Sequence, residues 1–125
     1  MAGAILDTGA LIAIERGDRR MQALLDEAHL AHVELVIPAG VLAQGWRGTP
    51  RQARLARVLR LENVNVAALG EAEAKAAGVL CGRTGTTDVI DASVVITARL
   101  SRKAVVTSDA DDLRRLDPHL SLMIV

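Results

Sequence analysis

The strongest constraint on the fold of this chain is the brevity of its aliphatic runs and the helical pattern that succeeds each of them. Ala4-Ile5-Leu6 ends at Asp7 and leads directly into a helical pattern; Glu34 to Ile37 stops at Pro38 and leads into another; Asn63 to Val66 and Ala104 to Val106 repeat the arrangement. Strand signals that alternate with helix signals argue an α/β domain built on a mostly parallel sheet. With Leu120 to Val125 as a final strand, the expectation is a three-layer sandwich: a central sheet of four to five strands flanked by helices.

The helices are legible from caps and apolar spacing. Thr8 is expected to cap a helix from Gly9 to Arg16 that Gly17 closes, and Asp18 to cap a second, in which Met21, Leu24, Leu25 and Ala28 share one face. Further helices are expected from Ala39 to Trp46, from Arg51 to Leu61 and from Glu71 to Leu80. Gly82 to Thr87 reads as a flexible loop into a buried helix from Asp88 to Arg99, and a short helix after Asp112 carries Leu113 and Leu116. No linker, internal repeat or low-complexity tract interrupts the pattern, so residues 1–125 are expected to form one domain. A chain of this length buries roughly two-thirds of its unfolded surface and folds without staples.

Composition narrows the functional classes. The single Cys81 cannot form an intramolecular disulfide, which suits a reducing cytosol. No apolar run is long enough to span a bilayer, and Asp7 interrupts the N-terminal apolar segment, so neither a membrane anchor nor a signal peptide is expected and a cytoplasmic location is. The 15 basic and 15 acidic residues cancel, so nucleic-acid contact would have to come from a local patch.

The stretch from Thr87 to Leu113 concentrates the chemistry. It places Asp88 and Asp91 at the start of one helix, and Asp109 and Asp112 just beyond the next strand. Asp7 ends the first strand, and parallel strands would bring it to the same sheet edge as Asp109. For Asp88 the plain alternative is a helix N-terminal acid, favoured by the dipole. Carboxylates from distant positions repel in one cleft unless a cation neutralises them, and such oxygen donors select Mg²⁺ or Mn²⁺. No zinc cluster competes, because His29, His32 and His119 lack a cysteine partner nearby. The loop GRTGTT lacks the Gly-Lys-Ser/Thr ending of a phosphate-binding loop. A receiver domain would place a lysine after a late strand, whereas Lys103 precedes one.

The segments ILDTGALIAIERGD, DASVVITA and VVTSDADDL, in this order and spacing, resemble those of PIN domains, and the small size resembles VapC toxins of bacterial toxin–antitoxin pairs. The resemblance implies a PIN-like sandwich and an Mg²⁺- or Mn²⁺-dependent endoribonuclease. It also implies a small cognate antitoxin and a homodimer. It places the catalytic, metal-binding aspartates on Asp7, Asp91 and Asp109, with Asp88 and Asp112 as additional metal-binding acids. Where the family carries a metal-facing glutamate this chain has Gln44, a weaker ligand without charge. Asp88 then supplies the missing charge, or a second metal arrives with substrate, or the domain is catalytically weakened and acts mainly as an antitoxin- or RNA-binding module.

Thr8, Thr107 and Ser108 are placed to hydrogen-bond carboxylates or metal waters, or simply to cap and turn the chain. Arg47, Arg51, Arg54, Arg57 and Arg60 form a basic run whose default reading is a solvated face, while Arg47 and Arg83 are the positions where RNA phosphates are expected. Trp46, the only aromatic, is expected to pack or support a dimer rather than stack on a base.

Overall fold

The computed structural model describes residues 2–125. Five strands, β1 (Ala4–Leu6), β2 (Leu35–Pro38), β3 (Val64–Ala67), β4 (Ala104–Thr107) and β5 (Leu122–Ile124), form one sheet in the order β3-β2-β1-β4-β5. Every pairing is parallel, with Ile5 opposite Val36 on one side and Val105 on the other. Burial follows that order. Ala4, Ile5 and Leu6 in the central strand are fully buried, whereas Asn65 and Val66 at one edge and Ile124 at the other are exposed. A strand covered on both faces has no polar face, which is why β1 reads as a continuous apolar run.

The helices are α1 (Thr8–Arg16), α2 (Arg19–Leu30), α3 (Ala39–Gly45), α4 (Ala53–Leu59), α5 (Glu71–Thr84), α6 (Val89–Ser101) and α7 (Ala110–Leu116). From β1 to β3 the chain steps outward in one direction, and from β3 it returns past β1 to β4 and β5 in the other. Right-handed crossovers therefore put α1 to α4 on one face and α5 to α7 on the opposite face. The contacts agree: α1 packs on α2, α3 and α4, while α5, α6 and α7 pack on one another. The strand order reverses between β1 and β4. In open α/β sheets, the crevice beyond the carboxyl ends at such a reversal is where ligands bind.

Several boundaries differ from those expected. Helix α1 begins one residue early, because Asp7 rather than Thr8 is its N-cap: the Asp7 carboxylate accepts from the Ala10 N–H at 2.9 Å. The expected helix from Arg51 splits into a 3₁₀ turn, Pro50–Gln52, and α4. Helix α5 runs on to Thr84, so Gly82, Arg83 and Thr84 are helical rather than loop, and Gly85 ends the helix in the left-handed conformation at φ 72°. Gly78 and Gly82 weaken the local helical signal. Burial of Ala77, Leu80 and Cys81 carries the helix through them.

Candidate functional site

The reversal point collects the acids. Asp7 leaves β1 and is 5% exposed. Asp109 leaves β4 at the N-cap of α7, and its backbone N–H donates to the Thr107 hydroxyl at 2.9 Å. That hydroxyl also bonds the Asp7 carboxylate. Thr107, fully buried, thus ties the ends of the two adjacent central strands together. Asp88 and Asp91 come from the start of α6, where the Asp88 carboxylate caps the helix by accepting from the Asp91 N–H at 2.9 Å. Asp112 comes from the first turn of α7. Asp111, beside it, is exposed to solvent.

The electrostatics show that these groups form one cluster. Burial pushes the Asp7 carboxyl above the usual carboxylate range; the Thr107 hydroxyl and the Ala10 N–H oppose this, and the charge of Asp109 adds to it. Asp91 is pushed up to about 7, first by burial, then by the charge of Asp88 and a hydrogen bond with it, and further by Asp7 and Asp112. Asp112 is raised by a hydrogen bond with Asp109 and by its charge, and is pulled back by Arg115. Among the described residues, however, no three His, Cys, Asp or Glu side chains already converge as a metal cage. The two observations are compatible: the acids meet in pairs, Asp91 with Asp88 and Asp112 with Asp109, rather than three at one point. All five side chains are hard oxygen donors, the donor set suited to a Mg²⁺-class ion.

Beside the cluster lies a cavity of about 360 Å³ lined by Thr84, Thr86, Asp88, Asp91, Asp112 and Arg115 among others. Arg115 is the basic residue of that lining, and its Nη1 lies 3.6 Å from Asp112 Oδ1. Sequence reasoning missed it, although a spacing of three along a helix was the available signal. Neither Arg83 nor Arg47 lines this cavity. Arg83 occupies the last turn of α5, and Arg47 donates through Nη1 to the carbonyls of Trp46, at 2.8 Å, and Ala43, at 3.4 Å. Gln44 is exposed near the end of α3, and its amide oxygen accepts a hydrogen bond from the Thr8 hydroxyl. Thr8, the residue following Asp7, therefore ties Gln44 to the start of α1. Trp46 follows α3 and is 37% exposed.

Ser108 bears on the site through Gly9. Its hydroxyl packs onto the Gly9 Cα so closely that a methyl group there would overlap it, and would also stand 3.2 Å from the Ser108 nitrogen and 3.3 Å from Asp7 Oδ1. Gly9→Ala is therefore expected to push the turn after β4 away from α1 and to misplace Asp109 relative to Asp7. Any activity of the acidic cluster should fall, by less than the roughly hundredfold that a full 1 Å misplacement costs. Circular dichroism should meanwhile show an unchanged helix content.

Among curated proteins none matches the sequence. Solved structures share the fold at low identity. A VapBC2 assembly of Rickettsia felis, bound to a DNA fragment from its promoter, aligns with a TM-score of 0.74 at 17% identity over 98% of each chain. A toxin–antitoxin complex of Klebsiella pneumoniae aligns with a TM-score of 0.67 at 22% identity, over 87% of this chain and 88% of that one. A protein of Pyrobaculum aerophilum aligns with a TM-score of 0.64 at 20% identity, over 97% of this chain and 83% of that one. The family profile described as PIN domain matches residues 4–118.

Proposed function

The chain belongs to the PIN domain family, and from that premise we propose that it is a divalent-metal-dependent endoribonuclease, the toxin of a VapBC-type toxin–antitoxin pair. The observation that carries the reading is the gathering of Asp7, Asp88, Asp91, Asp109 and Asp112, from both ends of the chain, into one mutually repelling cluster at the reversal of the sheet. Folding such charges together is unfavourable unless a cation joins them.

Asp7, Asp91 and Asp109 would hold one Mg²⁺ or Mn²⁺, and Asp88 and Asp112 would hold a second or steady the first. When bound, such an ion neutralises the scissile phosphate and acidifies an attacking water. The chain's own residues orient these groups. Thr107 fixes the Asp7 carboxylate and the Asp109 backbone at once, and Asp88 fixes the first turn of α6 and with it Asp91. Arg115, whose side chain is 81% exposed, is free to leave Asp112 for an RNA phosphate, since so open a pair holds only weakly. The partners proposed are an RNA substrate, a small antitoxin like that in the VapBC complexes and a second copy of this chain.

Purified protein should cleave transfer or ribosomal RNA only when Mg²⁺ or Mn²⁺ is present, with Asp91→Asn as the inactive control. RNAs that stay intact across metals and concentrations, while an antitoxin still binds, would sink the nuclease reading. They would favour the second one, a weakened domain that acts by binding. Gln44 motivates that alternative, since its neutral oxygen is already engaged by Thr8. Gln44→Glu should tighten metal binding by about tenfold, because a carboxylate adds charge to the ligand set. Calorimetry showing no gain would place Gln44 outside the metal's reach.

A further inference from the structure

At the opposite, amino edge of the sheet a second cavity, of about 520 Å³, opens between the end of α6, the start of β4 and the turn before β5. Arg99, Arg102, Lys103 and His119 line it together with one carboxylate, Asp117. That volume lies within the range of small-molecule sites, roughly 300–1,000 Å³. The lining is cationic where the cluster at the other edge is anionic, and β4 spans the two, from Ala104 at this cavity to Thr107 beneath the aspartates.

The single carboxylate is already satisfied. Arg99 Nε donates to Asp117 Oδ2 at 2.9 Å, and the His119 backbone N–H donates to Oδ1 at 2.9 Å. Burial pushes the Asp117 carboxyl up, but the Arg99 hydrogen bond, the His119 N–H and the charges of both residues outweigh it and hold the group below its ordinary range. Asp117 therefore stays ionised, and it orients Arg99 through Nε, which leaves the terminal guanidinium nitrogens of Arg99 available. Lys103 lies across Gly3, where any Cβ would meet its side chain, and its Nζ is 3.4 Å from Glu34 Oε1. Arg102 takes part in no ion pair among the described residues.

The backbone of Arg102 supplies an independent observation. It caps the end of α6 in the left-handed conformation, φ 54° and ψ 42°. Helices α1 and α5 end in the same conformation with Gly17 and Gly85, and the one other non-glycine residue to adopt it among the described residues is His32, just past α2. Glycine adopts it without steric cost, and a residue with a Cβ does not. The chain thus keeps a strained arginine, with its guanidinium uncommitted, at the lip of a cationic cavity. Guanidinium forks match the oxygens of phosphate in paired hydrogen bonds.

We propose that this cavity binds a phosphate group, either free or carried by a nucleotide, at a site separate from the acidic cluster. The test is thermal unfolding of the whole, metal-free chain in inorganic phosphate, in a nucleoside monophosphate and in chloride at matched ionic strength. At ten times its dissociation constant the bound anion should raise the melting temperature by about 5 °C. Arg102→Gly should weaken binding at least tenfold, yet by itself raise the melting temperature by about 3 °C, because it relieves the backbone. Loss of binding in that variant therefore cannot be put down to misfolding. Arg20→Ala, which removes an equal charge from the exposed side of α2, should respond like wild type, and so should Asp91→Asn. A shift with the mononucleotide alone would identify the source as a nucleotide; a shift with both anions would identify phosphate itself as sufficient. No shift beyond chloride for either anion, or an Arg102→Gly response equal to wild type, would overturn the proposal.

Discussion

Asp91→Asn is expected to abolish metal-dependent RNA cleavage while making the metal-free protein more stable. Replacing the carboxylate by its neutral isostere removes charge stabilisation of several kcal/mol from the proposed metal site. About 4 kcal/mol corresponds to about a thousandfold in rate. The gain in stability comes from the same charge. In the folded chain the Asp91 carboxyl is pushed up to about 7, from 3.8, by burial and by Asp88, Asp7 and Asp112. A folded-state value above the unfolded one means that the folded chain holds the proton more tightly. Its contribution to stability is complete below about pH 4 and is lost as pH rises through about 7. The melting temperature of metal-free wild type should therefore decline between pH 5 and pH 8, as far as this group controls it, and Mg²⁺ should restore it. Asp91→Asn should flatten the decline and gain about 1 kcal/mol at pH 8, because solvent reaching a half-buried carboxyl screens much of the repulsion. A variant that loses cleavage but keeps the wild-type pH profile would show that Asp91 is not the group under strain.

Asp7 has a bonding role that Asp91 lacks, although burial holds its carboxyl above the ordinary range as well and the sequence presents both residues as acids of one motif set. It is 5% exposed, its Oδ1 accepts from the Ala10 N–H at 2.9 Å, and its carboxylate takes the Thr107 hydroxyl. Asp7→Ala leaves those buried donors without an acceptor and removes the cap of α1, a loss of about 2 kcal/mol. Asp7→Asn keeps one oxygen in place and should unfold within about 1 kcal/mol of wild type. Both variants should be catalytically dead, each by about a thousandfold, because the charge at the end of β1 is gone in both. Chemical denaturation measures the first difference and RNA cleavage the second. Equal stabilities for the two variants would mean that the Asp7 carboxylate is not the acceptor that holds α1.

The strands, the acids and their likeness to PIN domains were legible because each is a local signal. A run such as Ala4-Ile5-Leu6 announces a buried strand by composition alone, and an aspartate directly after it announces the edge. The misplaced boundaries lie where two local signals compete or where packing overrides one. Asp7 and Thr8 are both good caps, and the end of β1 at Leu6 decided between them. Gly82 argued for a loop beyond Leu80, and contact of the buried face of α5 with α6 carried the helix on to Thr84. Arg83 read as a loop residue before Asp88, but it lies in the last turn of α5, and Arg115 is the basic residue that lines the cavity beside the acids.

The sequence by itself determined an α/β chain with a parallel sheet, a set of carboxylates at strand and helix ends, and the neutral Gln44 among them. Only the tertiary structure decided the strand order, the reversal between β1 and β4, and hence which acids share a field. It also divided their roles: Asp7 buried and bonded as a cap, Asp88 holding the first turn of α6, Asp91 carrying the repulsion. The same folding brought Arg99, Arg102, Lys103 and His119 together at the far edge. Spacing along a chain reports neighbours on one helix or strand, whereas the energy of a charge depends on every other charge within about 10 Å and on the water excluded around it. Those neighbours exist only once the sheet has assembled.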